Sequence, residues 1–146
     1  MKQPKMIKAS ELRIGNIAQD EGGGIREIVS ITSNEVESVC FGIPASEIGL
    51  WDDRDHFPIH LDKNVLLSAG FKTLPNNLFY HSVQAHFGLG GPNEDGSFSI
   101  VLRKDGFPKG KATYFPFGYV SELHKLQNLF FCFFGQELSF DGTLQK

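Results

Sequence analysis

Short apolar runs broken by turn formers open the chain: Ile14 to Gln19, Ile25 to Thr32 and Val36 to Phe41, separated by Asp20-Glu21-Gly22-Gly23-Gly24 and by Asn34. Runs of this length between Gly, Asp and Asn read as strands joined by turns. Leu12-Arg13-Ile14-Gly15-Asn16-Ile17 places a polar turn with Gly ahead of a strand, an opening pattern of SH3-like barrels, so residues 7–43 are expected to form a small SH3-like β lobe. Over residues 44–57 the pattern loosens around Pro44, Gly49 and Trp51-Asp52-Asp53-Arg54-Asp55-His56, which predicts a linker.

Residues 58–140 mix both periodicities. Asp62 can cap a helix over Lys63 to Ala69 that buries Val65, Leu66, Leu67 and Ala69 and stops at Gly70. Leu78 to Phe87 alternates Phe79, His81, Val83, Ala85 and Phe87 with polar neighbours, predicting a half-buried strand. A loop over Gly88 to Gly96 leads to a second strand, Ser97 to Arg103, and turn formers from Asp105 to Gly110 lead to a third, Lys111 to Phe117. The three form an antiparallel meander. The clearest period comes last: Leu123, Leu126, Leu129, Phe130, Phe133 and Phe134 recur at helical spacing between a capping Ser121 and a terminating Gly135. Glu122, Lys125, Gln127 and Asn128 lie on the opposite face, so this C-terminal amphipathic helix is expected to pack across the meander with its polar side outward. Leu138 to Phe140 suggest an edge strand. The chain as a whole reads as one α+β domain, residues 1–146.

Composition refines this picture in three ways. The 146 residues are enough for a core without disulfides or metal. Phenylalanine is overused, 14 against a single Trp, which supplies more aromatic area than a small core needs and points to surface that meets a partner. The net charge of -3 argues against a protein devoted to duplex nucleic acid, whose affinity rests on many cations. Cys40 and Cys132 stand far apart in apolar settings and read as buried thiols of a reducing compartment. With no secretory pattern and no run of 18 apolar residues, a cytoplasmic protein without a membrane partner is expected.

Candidate chemistry is sparse. Arg103, Lys109 and Lys111 surround a turn with Phe107 and Tyr114 close by, and cations interleaved with rings suit a phosphate, an unstacked base or a small anion. A solvated hairpin tip whose lysines guard a sheet edge is the plainer reading. Gly88-Leu89-Gly90-Gly91-Pro92 offers backbone amides to an anion, with Gly90 and Gly91 as the candidates, although a strand-to-strand loop lacks the helix N-terminus of dinucleotide sites. Trp51 beside Asp52, Asp53, Asp55, His56 and His60 marks a groove or a plug between lobes; the Asp/His spacing matches no established metal set. His81 is expected as a satisfied core histidine and His124 as part of a polar helix face. No nucleophile elbow, paired cysteine ligands or metalloprotease helix is present, and no cofactor or metal is assigned.

Glu11-Leu12-Arg13-Ile14-Gly15-Asn16, Pro58-Ile59-His60-Leu61 with Leu66-Leu67 and Gly70-Phe71, and His124-Lys125-Leu126-Gln127-Asn128-Leu129-Phe130-Phe131 with Gly135-Gln136-Glu137-Leu138 together resemble a family of uncharacterised proteins encoded by phages and prophages of the Bacteroidetes group. The resemblance implies a mobile-element origin, hence the cytoplasm of a host cell, and brings no established activity with it. The favoured expectation is a non-catalytic binding protein for a host protein or a small anionic, nucleotide-like ligand, interfering with a host system. A nucleic-acid-binding accessory protein and a small metal-dependent hydrolase are the alternatives. A homodimer through the terminal helix or a sheet edge is compatible with so short a chain.

Overall fold

A computed structural model of the chain describes residues 5–32, 35–41, 52–53, 55–75, 77–84, 86–103 and 114–141; of residues 52, 53, 103 and 114–117 it describes the backbone alone. The fold is α+β and mostly β, with two antiparallel sheets and two helices. Contacts divide the chain into two units, residues 1–60 with 122–137 and 145–146, and residues 61–121 with 138–144. Among the described residues no helix is long and apolar enough to cross a membrane.

The first unit is built on a four-stranded sheet in sequential order: β1 (Ile17–Gln19), β2 (Ile25–Ile31), β3 (Val36–Cys40) and β4 (Asp52–Asp53). The β1–β2 turn forms because the Asp20 carboxylate accepts from the Gly22 and Gly24 amides at 3.0 and 2.8 Å, while Gly23 takes φ +85°. Such a side-chain-to-backbone turn is what Asp and Gly supply. Ile17, Ala18, Ile28 and Val39 from the strands pack in the core with Ile7 and Ile59. The expected linker is partly sheet: Asp52 and Asp53 pair with Ser38 and Glu37, and Phe57 exchanges backbone hydrogen bonds with Gln19 at 2.8 and 3.0 Å. Four strands stand where the expectation had three.

The C-terminal helix, α2 (Leu123–Phe134), belongs to this first unit, whereas its period suggested packing on the meander. It begins one residue later than expected, with Glu122 rather than Ser121 at its N-cap, and ends at Gly135 in the left-handed region, φ +65°. Leu123, Leu126 and Phe130 are buried as expected, but so are His124 and Gln127, which periodicity had put on the outer face. His124 and Gln127 are interior, Glu122 and Asn128 are half-buried and Lys125 stays exposed.

The second unit is a five-stranded meander, β5 (Phe71–Leu74), β6 (Leu78–His81), β7 (Phe87–Gly90), β8 (Phe98–Arg103) and β9 (Tyr114–Val120), each pairing only with its chain neighbours. It is preceded by α1 (Lys63–Ser68), where the Asp62 carboxylate caps the Val65 amide at 2.8 Å. Three strands were expected; β5 was not among them, and the Leu78 to Phe87 run gives two strands because it breaks at His81. Its Nδ1 accepts from the Val83 and Gln84 amides at 3.2 and 3.0 Å, folding the chain into a turn that leaves Val83 exposed. Phe71, Phe79, Phe87 and Phe98 are buried, in pairs 6.1 Å (Phe71 and Phe87) and 6.0 Å (Phe79 and Phe98) between ring centroids. Much of the aromatic surplus is therefore core. Phe131 and Phe133 are exposed. Leu138 is buried but residues 138–140 form no strand; instead the Asp141 amide donates to the Ser68 carbonyl at 2.8 Å.

Candidate functional site

The edge of β1 explains the buried polar face of α2. On its inner side β1 pairs with β2, so the Ile17 amide points away from the sheet. Ile17 is buried, and a buried amide without a partner is costly. Gln127 meets that need: its Oε1 accepts from the Ile17 amide at 2.7 Å and its Nε2 donates to the Gly15 carbonyl at 3.1 Å. One side-chain amide thus extends the ladder as a strand would, while Phe57 covers the next position on the same edge. Asn128 continues the pattern, accepting from Asn16 Nδ2 at 2.8 Å and Arg13 Nε at 3.1 Å and donating to the Glu11 carbonyl at 3.3 Å. Arg13 closes the network with a two-pronged ion pair to Glu137, and its guanidinium lies 4.5 Å from the centre of the Phe131 ring. The first and last motif stretches quoted above therefore meet in one hydrogen-bonded clamp, and its chemistry is structural.

One end of that clamp opens into a cavity of about 160 Å³ lined by Lys5, Met6, Ile7, Lys8, Glu11, Pro58, Glu122, His124 and Lys125. Each wall has a local cause. The Ile7 amide donates to the His56 carbonyl at 2.8 Å, and the Lys8 amide donates to Glu11 Oε2 at 3.2 Å, which fixes the turn carrying Lys8 and Glu11. Gln19 Nε2 holds the Pro58 carbonyl at 2.8 Å, and the Leu123 amide donates to Ile59, setting the start of α2 beside Pro58. Glu122 lends no side-chain cap to the helix, and the Ile59 carbonyl takes its first amide instead.

His124, 1% exposed, is the unusual member of this lining, because neither ring nitrogen has a hydrogen-bond partner. Glu122 Oε1 is 3.9 Å from Nε2, close enough to act through its charge and too far for a hydrogen bond. Burial holds the His124 pKa below the usual imidazole range, with Glu122 pulling the other way, so the ring is neutral at pH 7. Lys125 is matched to Glu122 and Glu11 at 3.4 and 3.9 Å. Lys5 and Lys8, by contrast, have no carboxylate within ion-pair distance among the described residues. The lining gathers Lys5, Lys8 and Lys125 against Glu11 and Glu122, an excess of one positive charge, with the buried neutral His124 ring behind it.

No family model, curated protein or solved structure matches the chain.

Trp51, Phe107, Lys109 and Lys111 lie outside the described residues, as do the side chains of Arg103 and Tyr114; the backbones of the latter two pair with each other across β8 and β9. The glycine loop is corrected. Gly88 and Gly90 sit within β7, paired to Tyr80 and Leu78 on β6 and to Val101 and Ser99 on β8, so their backbone serves the sheet. The Gly91 amide donates to the Asn77 carbonyl at 3.0 Å. Glycine is needed at 91 because φ is +145° and a Cβ would stand 3.1 Å from both the Asn93 amide nitrogen and the Ser97 carbonyl oxygen.

Within the Asp/His segment His56 is buried, its Nε2 2.8 Å from Ser38 Oγ, which also accepts from Arg26 Nε at 3.0 Å. Among the described residues no three His, Cys, Asp or Glu side chains gather as a metal-holding group. Both cysteines are exposed, not buried. Cys132 lies beyond the stripe that α2 turns inward, and Cys40 ends an edge-directed strand position beside Arg26, whose Nη1 is 3.2 Å from its sulfur. Sequence reasoning missed Lys5, Lys8 and the role of His124; the one available signal was that His124 and Lys125 open the longest motif stretch.

Proposed function

We propose that this chain is a non-catalytic binding protein whose ligand is a small anion held at the cavity between Lys5, Lys8 and the start of α2. The carrying observation is the cavity lining itself, where Lys5, Lys8 and Lys125 face two carboxylates, Glu11 and Glu122, beside the start of α2. The lining carries no hydroxyl or thiol, and its charged groups are suited to recognising an ion. The cavity is below the roughly 300 Å³ of drug-sized pockets, which favours a metabolite-sized anion or an anionic head group over a whole nucleotide. A phage-type origin, implied by the motif resemblance, fits a protein that sequesters a host metabolite.

Isothermal titration calorimetry of the full chain with small carboxylates, phosphate and mononucleotides tests this reading. Saturable binding of a small anion, weakened by Lys5→Gln with Lys8→Gln, is the expected result. An absence of heat for every anion, together with no thermal shift, would refute it.

A further inference from the structure

His81, in the second unit, does the work of a turn-forming asparagine. Its Nδ1 accepts from the amides two and three residues ahead, Val83 at 3.2 Å and Gln84 at 3.0 Å. The side-chain oxygen of Asp or Asn closes a turn in the same way. An imidazole differs from either amide oxygen or hydroxyl in that it titrates near neutral pH. A ring nitrogen that accepts two amides carries no proton, so the ring is neutral with its hydrogen on Nε2. A second proton would land on Nδ1, face two N–H donors with a third, and break both hydrogen bonds.

The sheet confines that break to the turn. Pairing between β6 and β7 ends at Tyr80 and Gly88, while β6 is also paired to β5 and β7 to β8, so the strands stay held from both sides. Ser82, Val83 and His86 are already exposed and can open into water. The ring itself is buried, edge-on to Phe71 with centroids 5.3 Å apart, and burial holds its pKa below the ordinary imidazole value. The titratable side chains on the elements packed around it are Asp62 and Lys63 at the start of α1, Lys72 on β5, Tyr80 on β6, His86 in the turn and Asp141, whose amide meets Ser68. Alternation turns Lys72 and Tyr80 to the sheet face opposite Phe71 and His81; Tyr80 is half-buried and the other five are exposed, where water screens their charges. We propose that His81 is an acid-released latch: its neutral ring holds residues 81–87 closed as a turn, and protonation opens that turn while the five-stranded sheet stays intact.

NMR of the full chain, titrated downward from neutral pH, tests this. The closed turn is complete above the ordinary imidazole pKa and is lost as pH falls toward the depressed folded value. Exchange protection at the Val83 and Gln84 amides, corrected for the intrinsic pH dependence of exchange, should fall at least about tenfold in step with the His81 ring titration. Phe79 and Leu89, in the strands on either side, should keep theirs. At neutral pH the long-range nitrogen spectrum should show the proton on Nε2 and none on Nδ1. His81→Asn supplies an acceptor that does not titrate, so protection of the two amides should become independent of pH although His86 is still present; His81→Ala should lose it at every pH. Because both variants remove a buried ring, the titration of the unaltered protein decides. A proton on Nδ1 at neutral pH, or constant protection at Val83 and Gln84 through the ring titration, overturns the latch. Loss of protection at Phe79 and Leu89 in the same step overturns it as well, since the sheet then opens with the turn.

Discussion

Replacing Gln127 with Leu is the most direct test of how α2 is joined to the first sheet. Leu is close to Gln in volume, so the change opens little space; what it removes is the amide that pairs with Ile17 N–H and the Gly15 carbonyl. Ile17 is buried, and its stranded N–H should cost about 1–3 kcal/mol. The Gly15 carbonyl is only partly buried and can recover a water, adding less than about 1 kcal/mol. The expected loss is therefore about 1–4 kcal/mol. With a urea slope of about 2 kcal/mol/M for a chain of this size, the midpoint followed by circular dichroism should fall by roughly 0.5–2 M. Amide exchange adds a local readout: the Ile17 N–H should exchange at least about tenfold faster, since each 1.4 kcal/mol is one decade. Gln127→Ala should lose more, because it adds a cavity to the same unpaired groups. A Leu variant with an unchanged midpoint and an unchanged Ile17 exchange rate would refute the idea that the side-chain amide completes β1.

Arg13→Ala should cost about 1–2 kcal/mol and Glu137→Ala under about 1 kcal/mol in urea denaturation, because the ion pair is part-exposed while Arg13 also serves Asn128 and Phe131. Equal losses would place the whole effect in the ion pair. Gly91→Ala should destabilise by more than about 2 kcal/mol, since the backbone conformation excludes a Cβ, whereas Gly90→Ala meets only the end of Leu78 at 3.3 Å and should cost about 1 kcal/mol or less. Thermal denaturation of the two variants separates the cases. Burial lowers the pKa of both His81 and His124, so the folded state binds fewer protons than the unfolded chain. Their contribution is whole above the unfolded value near 6.5 and is lost as pH falls from there toward the depressed folded values. The urea midpoint should drop between pH 7.5 and 5.5, and an unchanged midpoint would contradict the burial of both rings. Glu27, raised by burial and then by Glu137, runs the other way: its effect on stability is lost as pH rises from 4.5 through its folded value.

The parts of this fold that were legible in sequence are those decided locally. Asp62 capping Val65, Gly135 ending α2 and the Asp20 to Gly24 turn each follow from side-chain chemistry acting within four residues. Strand alternation was also legible, but not its interruption at His81, where a ring nitrogen captures two amides and turns the chain. Apolar periodicity failed at α2 for a definite reason. It counts Gln and His as outward because water satisfies them, yet a sheet edge can satisfy a glutamine equally well, and β1 does. Once Gln127 is read as a surrogate strand residue, the placement of the helix on the first unit follows, and so does the burial of His124 three residues before it. The same step separates structure from function within the motif stretches. Arg13, Asn16, Gln127, Asn128 and Glu137 have their hydrogen bonds with one another and with the backbone of Glu11, Gly15 and Ile17, which accounts for those residue types without a ligand. His124 is the member of that region whose polarity the clamp leaves unexplained, and it is the member that lines a cavity beside Lys5 and Lys8. That contrast within one stretch of helix directs the search for a ligand to this cavity.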